Sequence, residues 1–170
     1  MIVGDGEYRY EAVEGWGNFP EEWDYRTVPG ISIDAQDRVF LLSRGNPPVA
    51  IFDKNGICQE SFGDGVFDRA HGVCPLKDGT VYCVDDAAHA VYRFSPEREL
   101  IQTIGRRGVP SDTGCIDKKW KTIKQAAGPF NYPTNMVFAE NGMFYVTDGY
   151  GNARVHCFKE SGILLLAGYA

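Results

Sequence analysis

Three versions of one strand recur along the chain. They are Arg38-Val-Phe-Leu-Leu-Ser43, Thr80-Val-Tyr-Cys-Val-Asp85 and Met143-Phe-Tyr-Val-Thr-Asp148, offset by 42 residues (Arg38 to Thr80) and 63 residues (Thr80 to Met143). The segments just before them, Gly30-Ile-Ser-Ile33, Gly72-Val-Cys-Pro75 and Asn135-Met-Val-Phe138, keep the same two offsets. So do the closing glycines Gly63, Gly105 and Gly168. Three anchors agreeing on two offsets define an internal repeat, which restricts the fold before any single residue is considered. The first repeat divides into four short apolar runs, Gly30–Asp34, Arg38–Arg44, Val49–Asp53 and Ile57–Phe62. Asn55-Gly56 closes a hairpin, because Asn and Gly tolerate the positive φ of a two-residue turn, and Asp78-Gly79 and Asn141-Gly142 stand in matching places. Four antiparallel strands in roughly 40 residues make one propeller blade.

The expected fold is therefore all-β: a partial β-propeller of three four-stranded antiparallel blades plus one extra N-terminal strand, half of a six-bladed ring. As a single unit spanning 1–170 it divides into an extra strand at 8–17, blades at 30–63, 71–105 and 135–168, and an inter-blade loop at 106–134. The second spacing is longer than the first by 21 residues, and the excess lies in this loop. Its stretch Lys118 to Ala127 is expected to hold a short helical turn, with Trp120 pinning the loop. Three blades cannot close a ring, so the chain is expected to be a shortened propeller or to pair with a second copy. A homodimer would cover the apolar faces of the first and third blades.

Composition narrows the partners. Lys+Arg 17 against Asp+Glu 23 gives a net charge of −6, which disfavours nonspecific nucleic-acid binding. There is no apolar run of membrane-spanning length and no apolar signal core near Met1, and the compartment stays unknown. The five cysteines include no C-x-x-C pair, and Cys83 and Cys157 fall in strand-like runs as small buried apolar residues.

Residues just before an innermost strand lie at the mouth of a propeller channel. In the second blade that segment is Arg69-Ala70-His71-Gly72-Val73, and His71 is either a metal ligand or acid/base, or a histidine bonded in a turn. Asp85 and Asp148 read as turn caps. Tyr150 is an aromatic with no evident core in the turn Gly149-Tyr-Gly-Asn152, and Arg44 stands at the matching rim position, free to act there or to pair with Asp53. His89 and His156 are expected at the surface. Lys118, Lys119, Lys121 and Lys124 read as a solvated loop face.

These residues carry a resemblance. Ser43-Arg44-Gly45, Ala70-His71-Gly72-Val73, Val109-Pro110-Ser111-Asp112-Thr113, Pro129-Phe-Asn-Tyr-Pro-Thr-Asn135 and Tyr145-Val-Thr-Asp-Gly-Tyr150-Gly-Asn-Ala-Arg154 resemble the peptidyl-α-hydroxyglycine α-amidating lyases, NHL-repeat propellers. The resemblance implies a six-bladed propeller that cleaves a peptide's terminal α-hydroxyglycine to a peptide amide and glyoxylate. It implies a channel Zn2+ held by three histidines, of which His71 matches the first, and a Ca2+ taking backbone carbonyls of Ile31 and Val73. It makes Tyr150 the catalytic tyrosine and Arg44 an active-site arginine. The remaining zinc histidines and the acidic calcium ligand of the family lie in later blades. Where the animal enzymes carry a cysteine beside the tyrosine, this chain has Gly151. The expectation is a lyase-like chain with part of the site, incomplete or inactive alone. The alternative is a non-catalytic NHL-repeat module that binds a peptide or protein at its rim.

Overall fold

The computed structural model describes residues 2–25 and 27–169. An N-terminal hairpin pairs β1 (Ile2–Asp5) with β2 (Tyr8–Glu11). The first blade is β3 (Gly30–Ile33), β4 (Val39–Leu42), β5 (Val49–Phe52) and β6 (Cys58–Phe62). The second is β7 (Ala70–Pro75), β8 (Val81–Asp85), β9 (Ala90–Phe94) and β10 (Leu100–Gly105). The third is β11 (Asn135–Phe138), β12 (Met143–Asp148), β13 (Arg154–Lys159) and β14 (Leu164–Tyr169). Each blade is a four-stranded antiparallel meander, and the architecture is a β-propeller of three blades. The short helix α1 (Gly149–Asn152) fills the β12–β13 turn, and a 3-10 turn spans Trp120–Thr122 in the long loop.

Two expectations about local structure are corrected. Tyr8–Glu11 does not stand as a lone blade strand; it turns back on Ile2–Asp5 across Gly6, at φ 58°. In the three hairpins the positive φ falls on Gly56, Gly79 and Gly142, while their Asn and Asp neighbours do not share it. The turn after β5 shows why. The Asp53 carboxylate accepts N–H bonds from Asn55 and Ile57, and Gly56 N–H bonds the Asp53 carbonyl. The aspartate side chain shapes a wider turn, and the ladder shifts register between Ile51 and Phe52 as a bulge absorbs the extra residue.

Alternation within the strands builds the core between blades. Phe40, Leu42, Val49 and Ile51 of the first blade pack on Val73, Val81, Cys83 and Tyr92 of the second. The opposite face of the second blade presents Tyr82, Val84 and Val91 to Met136, Phe144 and Phe158 of the third. Phe144 and Phe158 stack with centroids 5.0 Å apart. Burying each such ring contributes about 2–3 kcal/mol.

The innermost strands approach closely at one repeated position. A Cβ on Gly72 would come within 2.8 Å of the Asn135 Oδ1 and the Thr134 carbonyl, so glycine there lets β7 lie against β11. A second repeated position ties each blade to the chain entering it. Asp85 accepts N–H bonds from Asp68, Arg69 and Ala88. Asp148 accepts the Asn131 N–H on both oxygens, and Ser43 reaches the Asp24 carbonyl.

The outer face of the first blade is not open, contrary to expectation. Val39, Leu41, Ala50 and Phe52 are covered by Trp16, Trp23 and Tyr25, and Phe19 stands 5.0 Å from the Phe52 ring. The segment leading into the propeller supplies this cover. The outer face of the third blade has no such cover among the described residues, and Val137 there is 59% exposed. Among the described residues no helix is long and apolar enough to cross a membrane.

Candidate functional site at one end of the propeller

Antiparallel pairing fixes which loops share an end. Ala70 pairs with Asp85, Ala90 with Gly105, and Asp148 with Arg154. The turns after β4, β8 and β12 therefore lie at the same end as the chain entering each blade. Arg44, His71, Tyr150 and the 106–134 loop all fall at this end.

His71 follows the first residue of β7, and its imidazole lies edge-on to the Tyr150 phenol, centroids 6.1 Å apart. Tyr150 projects from α1 and is 44% exposed. Arg44 reaches across from the first blade and donates through Nε to the Ala70 carbonyl at 3.2 Å, so it borders His71's strand instead of pairing with Asp53. Three residues from three blades, separated by up to 106 positions (Arg44 to Tyr150), are thus gathered along one edge. Arg69, beside them, is held by Asp86 through two bonds of 2.6 and 2.7 Å, and this carboxylate raises the guanidinium above its usual range.

The turn carrying Tyr150 is rigidly built. The Asp148 carboxylate bonds His156 Nε2 at 3.0 Å and accepts from Asn152 Nδ2 at 2.8 Å. Thr113 of the long loop donates to the Gly151 carbonyl at 2.6 Å. A Cβ on Gly151 would meet the Asn131 side-chain amide, so this backbone position requires the glycine that the sequence has. Ala153 closes the turn at φ 50°.

His156 and His89 are not surface residues. His156 is 0% exposed between Asp148 and Phe130. His89 is buried, and its Nδ1 accepts the Tyr132 N–H at 3.1 Å. Burial pushes the His89 imidazole below its usual range, against the pull of Asp148, Asp86 and Asp85, so its neutral form supplies the acceptor. Both differ from expectation for one reason: a histidine inside an alternating strand or turn looks polar in sequence, while a carboxylate on the paired strand (His156) or an N–H from a distant segment (His89) makes it a core residue. Trp120 does not pin its loop by burial, since its side chain is exposed. The loop is held by Thr113 and by Thr122, whose hydroxyl donates to the Lys119 carbonyl and accepts the Ile116 N–H.

Lys118 departs from a plain solvated face. Its ammonium lies 4.1 Å from the centre of the Tyr132 ring and 5.9 Å from that of Tyr150. The sequence signal that marks it is the extra length of the loop.

Ile31 lies on β3 and Val73 on β7, at the same repeat position of neighbouring innermost strands. Two such carbonyls fall short of the roughly six to eight oxygens calcium takes. His71 supplies one side chain to a zinc that needs about three protein ligands. The other two histidines are committed to Tyr132 and Asp148, and among the described residues no cluster of three or more His, Cys, Asp or Glu could hold a metal. The described residues alone do not fit either ion.

No family model matches the chain. Curated relatives do. A probable peptidyl-α-hydroxyglycine α-amidating lyase of Caenorhabditis elegans is 26% identical over 121 residues, covering 71% of this chain and 31% of the relative. A peptidyl-α-hydroxyglycine α-amidating lyase of Drosophila melanogaster is 28% identical over 148 residues, covering 84% of this chain and 32% of the relative. The chain resembles the amidating lyases. It spans about a third of the length of these relatives.

Solved structures agree on the fold of this lyase-like chain. A Bacteroides caccae protein of unknown function superposes with a TM-score of 0.61 at 14% identity, covering 96% of this chain and 50% of that one. A gluconolactonase of Xanthomonas campestris gives 0.58 at 16% identity, covering 82% of this chain and 46% of that one. At such identities the likeness concerns the propeller, not its chemistry.

Proposed function

We propose that the edge formed by Arg44, His71 and Tyr150 binds the α-hydroxyglycine end of a peptide and belongs to a lyase-type reaction centre. The contact of His71 with Tyr150, beside the Arg44 guanidinium, carries this reading. The planar fork of the Arg44 guanidinium suits a terminal carboxylate. Tyr150 offers an oxygen that can take the proton from the substrate hydroxyl. With Tyr150 acting as the phenolate, the O–H bond pair of the substrate becomes the second C–O bond of glyoxylate as the proton leaves, the C–N pair departs with the nitrogen, and the nitrogen takes that proton back from Tyr150 to give the peptide amide. The resemblance adds a zinc, whose remaining ligands would come from further blades or another chain, and a structural calcium. No step is assigned to either ion.

A specific observation favours a second reading, a binding module without catalysis: of the three histidines, His89 and His156 are engaged by Tyr132 and Asp148, which leaves His71 to this edge. Calorimetric titration of the full chain with a short peptide ending in α-hydroxyglycine tests the shared core of both readings. Binding is expected, with Arg44→Ala weakening it about tenfold, the size of one hydrogen bond to a charged group. No binding by the unaltered chain sinks the proposal. Glyoxylate release in added zinc, lost in Tyr150→Phe, selects the lyase. Binding without release selects the module.

A further inference from the structure

The long loop brings a second cation to the same edge, and its backbone is strained to do so. Asp117, Lys118 and Tyr132 have φ of 51°, 56° and 64°, in the left-handed region that side chains other than glycine seldom occupy. Such strain, clustered beside a candidate site, persists only where surrounding contacts enforce it. Here they do. Buried His89 fixes the Tyr132 backbone by a 3.1 Å bond and packs on its ring at 4.4 Å. The Tyr132 ring in turn carries the Lys118 ammonium at 4.1 Å.

The cation so placed has no ion-pair partner among the described residues. Its neighbour Asp117 lies 3.7 Å from Lys119 instead. Arg69, the other cation nearby, is neutralised by Asp86. Arg44, on the first-blade side of His71, and Lys118, beside Tyr150, thus each lack a carboxylate partner among the described residues. Lys118 lines a cleft of about 410 Å³ with Pro110, Cys115, Asn131, Tyr132 and Asp117, whose carboxylate is engaged by Lys119. It has room for a side chain.

We propose that Lys118 is a specificity-determining residue that recognises an acidic side chain next to the ligand's terminal residue, so that the preferred ligand is an acidic peptide end. This rests on the reading of the Arg44–His71–Tyr150 edge given above. Arg44 takes the terminal carboxylate, and Lys118 reads the second negative charge on the far side of Tyr150. The Tyr132 face orients the ammonium without neutralising it, because a ring offers only its quadrupole.

Calorimetric titration with N-acetyl-Glu-α-hydroxyglycine and N-acetyl-Gln-α-hydroxyglycine at low salt tests it on the full chain. The unaltered protein is expected to bind the Glu peptide about threefold to fivefold more tightly, the range of an exposed ion pair. Lys118→Gln should remove the preference and Lys118→Glu reverse it. High salt should erase the preference. An equal affinity for the two peptides, or a preference that survives in Lys118→Gln, overturns the role of Lys118 and leaves the edge's reading intact. Failure of both peptides to bind the unaltered protein overturns that reading and the proposal with it. Circular dichroism of the variants guards against misfolding, which an exposed lysine is not expected to cause.

Discussion

His89 shows how much one residue is decided by its neighbours. The imidazole is buried, accepts the Tyr132 N–H and is held below its usual range mainly by burial, so the folded state keeps it neutral. In the unfolded chain it returns to a value near 6.5. As pH falls through that value the unfolded state takes up a proton that the folded state refuses, so stability present above it is lost below it. The slope for one proton is no steeper than about 1.4 kcal/mol per pH unit. Urea midpoints measured from pH 7.5 to 5.5 should fall in the unaltered protein, and His89→Gln should flatten that fall; an unchanged slope in the variant would assign it to other groups. Nothing in the local sequence Asp86-Ala-Ala-His89 announces this burial. It depends on Tyr132, 43 residues away. The common end of Arg44, His71 and Tyr150 was legible for the opposite reason: each sits beside a strand end that the repeat defines, while the roles expected of them rest on the resemblance. Lys118 and Tyr132 were not, because a loop outside the repeat has no period to read.

Elements were legible wherever alternation and turn glycines coincided, which covers the blade strands. The segment before β3 was not, since its aromatics Trp16, Phe19, Trp23 and Tyr25 follow no period. Their order comes from an acceptor surface that only the folded blade provides: Val39, Leu41, Ala50 and Phe52. Trp16 adds a bond from its indole N–H to the Lys54 carbonyl, and Tyr25 lies 5.0 Å from Phe19 edge-on. The segment thus replaces a neighbouring blade on the first blade's outer face. Its burial pushes the Tyr25 hydroxyl well above its usual range, with the nearby Cys58 adding to the shift. Trp23→Ala is expected to cost about 2–3 kcal/mol in chemical denaturation and to raise binding of an apolar dye at the uncovered face. A cost below about 0.5 kcal/mol would mean that the segment only rests on the blade.

At the scale of the molecule, the two ends of the blade row differ, and this alters how copies can meet. A ring of two chains would set the third blade of each copy against the first blade of its partner. That first blade is already covered by its own residues 16–25, so ring closure would have to displace Trp16, Phe19 and Trp23 from Phe52. The third blade remains available. Val137, Tyr145 and Cys157 stand in register across β11, β12 and β13 and so share its outer face. We propose that the chain associates by pairing this face with the same face of a second copy about a two-fold axis, because a self-complementary contact closes without exposing a further patch. Val137 is placed for the centre of such a contact, and a lysine there would bury an unpaired charge. Light scattering at high concentration should give twice the monomer mass for the unaltered chain and the monomer mass for Val137→Lys. Dimers that persist in that variant but dissolve when Trp23 is changed would instead point to displacement of the N-terminal cover, and a monomer throughout would remove self-association from the account. The outcome also bears on the proposed site, because face-to-face pairing through the third blade does not bring a second His71 across a shared channel.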